Sequence, residues 1–150
     1  MIVMKRTDSG DQDFRDLVTL LDADLAMRDG DMHPFYAQFN KIENIKHAVV
    51  AYDDVLPVGC GAIKDFEPGT MEVKRMYVLP EYRNKGVGAQ MLFELEQWAK
   101  ELSCSKCILE TGKKQPEAIA LYTKHGYSVI PNYGQYASVD NSVCFAKKIE

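Results

Sequence analysis

The segment from Val73 to Gly88 constrains the fold of this chain more than any other part. Residues 71–78 alternate as a strand, and Leu79-Pro80 ends it. A loop follows, and Gly86 and Gly88 open a helix with apolar positions at Val87, Met91, Leu95, Trp98, Ala99 and Leu102. The first N–H groups of such a helix have no internal partners, and its dipole adds positive potential there. Glycines without a Cβ let an anion come close to the backbone, and Arg83 and Lys85 add charge beside it. The physical reading is a strand–loop–helix cradle for a diphosphate.

The remaining pattern sets the fold class. Residues 2–6 read as a first strand, and Phe14, Leu17, Val18, Leu21 and Leu25 recur at helical spacing until Arg28-Asp29-Gly30-Asp31 breaks the helix. The same spacing predicts a short second helix through Phe35, Tyr36 and Phe39. The runs 47–52, 58–66 and 71–78, separated by turn residues, form an antiparallel meander. After the long helix, residues 107–109 read as a strand buried on both faces. Pro116 opens a further helix that Gly126 stops. Strands near 127–130 and 142–148 close the chain. Strand, helix, strand, helix, strand in the second half predicts parallel pairing at the centre. The expected architecture is a single α/β domain over residues 1–150, with a mixed, mostly antiparallel sheet and helices on both faces.

Established nucleotide motifs do not account for the cradle. A dinucleotide fingerprint needs a third glycine where Met91 stands, and a nucleotide-hydrolase phosphate loop needs Ser or Thr after Gly-Lys. Gly59-Cys60-Gly61 lies inside a strand and reads as backbone packing.

The arrangement resembles the GNAT superfamily of N-acetyltransferases, whose hallmark Gln/Arg-x-x-Gly-x-Gly/Ala matches Arg83-x-x-Gly86-x-Gly88 after Val78-Leu79-Pro80. A second family pattern, A-x-x-L-Y-x-x-x-G-F/Y, matches Ala118, Leu121, Tyr122, Gly126 and Tyr127. The element order agrees from end to end, and Val58–Ala62, Leu109–Gly112 and the tail from Tyr133 to Phe145 look like small bacterial amine acetyltransferases. The resemblance implies acetyl-CoA as cosubstrate. Its diphosphate would meet the backbone of Arg83, Asn84, Lys85, Gly86, Val87, Gly88 and Ala89, and its pantetheine arm would pair with Met76, Tyr77 and Val78 as an added strand. Tyr122 matches the family tyrosine near the thioester sulfur, where a phenol can protonate the departing thiolate. Asparagine, frequent in relatives before that helix, is replaced here by Gln115, Pro116 and Glu117.

An amine acceptor arrives protonated, so a base is needed. Glu72, expected on one strand face with Lys74, Met76 and Val78, is the first candidate, and Glu110 is the second. His33 and His47 are weaker candidates, since neither has a partner in view. The aromatic tail Tyr133-Gly134-Gln135-Tyr136 and Tyr36 either line the acceptor pocket or pack.

The net charge of −4 argues against nucleic acid and a polybasic membrane contact as partners. No apolar run is long enough to span a bilayer, and the charged start is unlike a signal peptide, so the cytoplasm is the expected location. Cys60, Cys104, Cys107 and Cys144 read as free thiols, and the Cys104-x-x-Cys107 pair lacks the two further ligands of a zinc site, so no metal is expected. The implied activity is direct attack of a small-molecule primary amine on acetyl-CoA in a ternary complex. A non-catalytic acyl-CoA sensor and a peptide or protein acetyltransferase are the rival readings, and a homodimer is open.

Overall fold

The computed structural model describes residues 1–37 and 44–149. The chain runs β1 (Ile2–Thr7), α1 (Gln12–Asp29), α2 (His33–Ala37), β2 (His47–Asp53), β3 (Leu56–Glu67), β4 (Thr70–Val78), α3 (Val87–Glu101), β5 (Lys106–Gly112), α4 (Pro116–Lys124), β6 (Ser128–Ile130) and β7 (Ser142–Lys148). The expected Phe39 end of the second helix lies outside the described residues, as does the side chain of Tyr36.

The seven strands form one sheet in the order β1-β2-β3-β4-β5-β7-β6. The meander is antiparallel throughout. Parallel pairing is narrower than the alternation of strands and helices predicts: it joins β4 to β5 only, from Thr70↔Lys106 to Glu72↔Ile108. Strand β6 does not lie beside β5, because β7 inserts between them and pairs antiparallel with both. Burial explains the choice. Strand β7 carries buried Cys144 and Phe145 and matches all of β5, whereas β6 is short and mostly exposed, which suits an edge.

Two apolar layers sandwich the sheet. On one face Met91, Leu92, Leu95 and Ala99 of α3 and Tyr122 of α4 pack on Val49, Ala51, Ile63, Met71, Val73 and Leu109. On the other, Phe14, Leu17 and Val18 of α1 pack on Ala48, Val50, Cys60 and Ala62. Gly59 and Gly61 do serve packing: a Cβ on Gly61 would stand 2.5 Å from Met76 Sδ and 3.0 Å from Leu95 Cδ1. Asp11 caps α1, accepting from the Phe14 N–H at 2.9 Å, and Gly30 ends it at a φ of 53°. Glu96 of α3 is buried; it accepts from Tyr127 Oη and Lys147 Nζ, both at 2.9 Å.

Strand β4 carries the irregularity that shapes the site. Ala62 faces Lys74 while Cys60 faces Tyr77, so β4 holds one extra residue, and Arg75 takes a φ of 60° there. The bulge reverses the alternation. Met76 and Val78 join Met71 and Val73 on the α3 face, and Tyr77 goes to the α1 face. The expectation that Glu72, Lys74, Met76 and Val78 share one face is therefore corrected.

Candidate active site

Beyond Glu72↔Ile108 the parallel ladder stops, and the facing edges of β4 and β5 separate. A cavity of about 540 Å³ occupies this gap. It runs from the N-terminus of α3, past residues 73–78 of β4 and the face of α4, to the C-terminal ends of α1 and β5.

At one end lies the glycine loop. Gly86 holds a φ of 85° and Asn84 one of 64°, both in the left-handed region. No side chain caps α3, so its first N–H groups remain available. The two glycines have different reasons. A Cβ on Gly86 would meet nothing within 4 Å, so its backbone conformation is what requires glycine. A Cβ on Gly88 would stand 3.3 Å from Leu121 Cδ2, so Gly88 serves the approach of α3 to α4. Met76, Tyr77, Val78, Arg83, Asn84, Gly86, Val87, Gly88 and Ala89 line the cavity. Lys85 is not among its lining; its ammonium lies 5.5 Å from the centre of the Tyr82 ring. Arg83 Nε donates to the Val78 carbonyl at 2.9 Å, tying the loop to the end of β4.

Tyr122 enters from α4. Its ring is 6% exposed and is braced by Tyr127 and Phe145 at centroid distances of 5.7 and 6.1 Å. Burial, followed by the Glu110 charge, raises its phenol pKa, so Tyr122 holds its proton at neutral pH.

The far end is rich in carboxylates. Glu72 is 7% exposed and accepts from Tyr133 Oη at 2.7 Å. Glu110 accepts from Ser142 Oγ at 2.7 Å, and burial pushes its carboxyl from 4.5 up to about 7, against the pull of that hydrogen bond and of Lys74. Burial also lowers the Lys74 pKa. Tyr136 lines the same end from a short turn, and Asn132 pins the neighbouring loop through the Val139 and Ser142 carbonyls at 3.0 and 3.1 Å.

The two candidate histidines, His33 and His47, stand elsewhere, whereas His125 at the end of α4 lines the cavity. His47 packs edge-on against Trp98 at 4.8 Å, and neither it nor His33 lines the cavity. Nor, among the described residues, does any cysteine. Cys107 is buried with its thiol raised to about 12. Sequence reasoning did not single out Asp29 or Ser142. The signal for Asp29 was legible: an acidic residue ends α1, where the helix dipole favours a cation.

A split mixed sheet, an uncapped glycine loop and a buried tyrosine across the gap define an acyl-CoA-dependent acyltransferase. The chain belongs to the Acetyltransferase (GNAT) family, whose model matches residues 14–127. It is 35% identical over 130 residues to the IAA acetyltransferase of Azospirillum brasilense, covering 81% of this chain and 84% of that one. It is also 33% identical over 97 residues to the N-acetyltransferase YjcF of Bacillus subtilis, covering 65% and 66%. A crystal structure of a Klebsiella pneumoniae protein described as an acyl-CoA N-acyltransferase superposes with a TM-score of 0.84 at 29% identity, over 100% of this chain and 99% of that one. The PaiA N-acetyltransferase of Thermoplasma acidophilum, solved with coenzyme A, shares the fold at a TM-score of 0.72 and 18% identity over 99% of each chain. The protein is an acetyl-CoA-dependent N-acetyltransferase. No helix among the described residues is long and apolar enough to cross a membrane.

Proposed function

We propose that the chain transfers acetyl from acetyl-CoA to a primary amine of a small molecule, by direct attack within a ternary complex. The observation that carries this reading is the single cavity joining the open β4 edge and the α3 N-terminus to the buried carboxylates. The residues fit the cofactor. Free N–H groups of α3, the open space over Gly86 and the Arg83 guanidinium suit a diphosphate. The unpaired edge at Met76, Tyr77 and Val78 suits an amide-bearing arm adding as a strand. Lys85 contributes its backbone, with its side chain turned to Tyr82.

Acetyl-CoA supplies an acetyl group already activated as a thioester. The chain's own residues then do three things. A β4 backbone N–H donates to the oxygen on which negative charge grows. Tyr122, protonated at neutral pH, gives a proton to the leaving sulfur. A carboxylate takes the proton of the attacking ammonium. Each carboxylate accepts one hydroxyl, Glu110 from Ser142 and Glu72 from Tyr133, and Glu110 suits the base better because burial balances its carboxyl near neutrality. Glu72 then holds Tyr133 through its hydroxyl, beside the cavity that Tyr136 lines. The absence of cysteine from the lining, among the described residues, agrees with direct attack.

Calorimetric titration with acetyl-CoA, with NADH and ATP as controls, tests the cofactor. Initial rates of thiol release with varied amine and acetyl-CoA test the order. Intersecting double-reciprocal lines support the ternary complex, and parallel lines refute it.

A further inference from the structure

Asp29 is the residue that the chemistry above leaves unused. It is 3% exposed, lines the cavity, and its Oδ1 has no hydrogen-bond partner. It is also the last residue of α1, where the negative end of the dipole opposes a carboxylate. The neighbouring Arg28 favours its ionised form but does not bond it, because Arg28 bonds Asp24 at 3.1 Å and Glu117 of α4. His33 and Lys114 favour its ionised form without bonding it, and burial opposes that form. A fold that keeps a buried carboxylate oxygen without a hydrogen-bond partner carries a cost, and a ligand that pairs it recovers that cost.

The surroundings show where it aims. Gly112 leaves a bare backbone at the end of β5. A Cβ there would stand 3.6 Å from Asp29 Oδ1, 3.4 Å from Gln115 Nε2 and 3.5 Å from Asn141 Nδ2. Asp29 thus faces a small polar recess in the same cavity. Glu72 and Glu110 add negative charge against Lys74, while Arg75 is already bonded by Asp22. Such a recess suits a positively charged group and disfavours an anionic one.

We propose that Asp29 anchors a second cationic group of the acceptor, so that the substrate is a diamine-like dication with one amine at Glu110 and the other at Asp29. This rests on the acetyl transfer argued above and adds its specificity. A charge-assisted contact to a desolvated carboxylate is worth about 10- to 100-fold in affinity.

The test uses diaminopropane, diaminobutane and diaminopentane beside propylamine, butylamine and pentylamine. In the native protein, the best diamine should exceed the monoamine of equal length by about 10-fold or more in kcat/KM, with the difference in KM. In Asp29→Asn this ratio should collapse toward one, and Asp29→Glu should restore part of it. Thermal shift without acetyl-CoA reads the same contact independently: the diamine should raise the Tm of the native protein more than the monoamine, and Asp29→Asn should lose that excess. No diamine preference in the native protein, or an equal preference in Asp29→Asn, overturns the proposal. Failure to bind acetyl-CoA would instead overturn the transfer reading, and the thermal shift would still decide the role of Asp29.

Discussion

Replacing Glu110 by Gln puts a number on the cost of the candidate base. In the folded protein its carboxyl is raised from 4.5 to about 7, with burial the largest cause. The folded state therefore holds this proton between those values, where the unfolded chain has released it. Stability falls as pH rises through that window, and the full cost is present above it. Two and a half pH units correspond to about 3 kcal/mol. Gln keeps an oxygen for the Ser142 hydroxyl, which donates at 2.7 Å, and removes the charge. Urea unfolding at a series of pH values should find Glu110→Gln more stable than the native protein by about 3 kcal/mol near pH 8, with the gap closing below about pH 4.5. A gap that does not change with pH would refute the reasoning, as would a less stable variant at high pH. The same variant joins stability to function. The native kcat/KM profile should show an inflection near 7, and Glu110→Gln should lose both that inflection and most of the turnover.

Tyr122→Phe should lower kcat by about 10²- to 10⁴-fold and leave acetyl-CoA affinity near the native value, as read by calorimetry. Gly86→Asp should weaken acetyl-CoA binding at least tenfold, about 1.4 kcal/mol, since it puts charge and a strained φ of 85° at the loop; unaltered affinity would remove the diphosphate cradle. Gly61→Val should destabilise the fold by about 1–3 kcal/mol in urea, because its Cβ would press Met76 and Leu95. Asp11→Ala should cost about 1 kcal/mol through loss of the α1 cap, and circular dichroism melting checks it.

The sequence by itself determined the element order, the meander, the glycine loop and the tyrosine helix. These follow from local rules: hydrophobic period, turn residues, and a proline or glycine at helix ends. Its two motifs also pointed to the family that the comparisons show. Composition of the far pocket was not legible in the same way. The extra residue at Arg75 shifts which face each β4 side chain takes, and an alternation count passes over it. Strand β7 entered between β5 and β6 because it buries more and pairs along the whole of β5, a competition between segments distant in sequence. Glu110 and Asp29 stand about 80 residues apart, and neither carries a motif. Tertiary structure alone decided that Glu110 loses its water, that Glu72 meets Tyr133, and that Asp29 ends its helix facing a recess rather than solvent. The physical reason is that periodicity and turns are set by neighbours along the chain, whereas desolvation and pairing of charge are set by whatever the fold brings alongside.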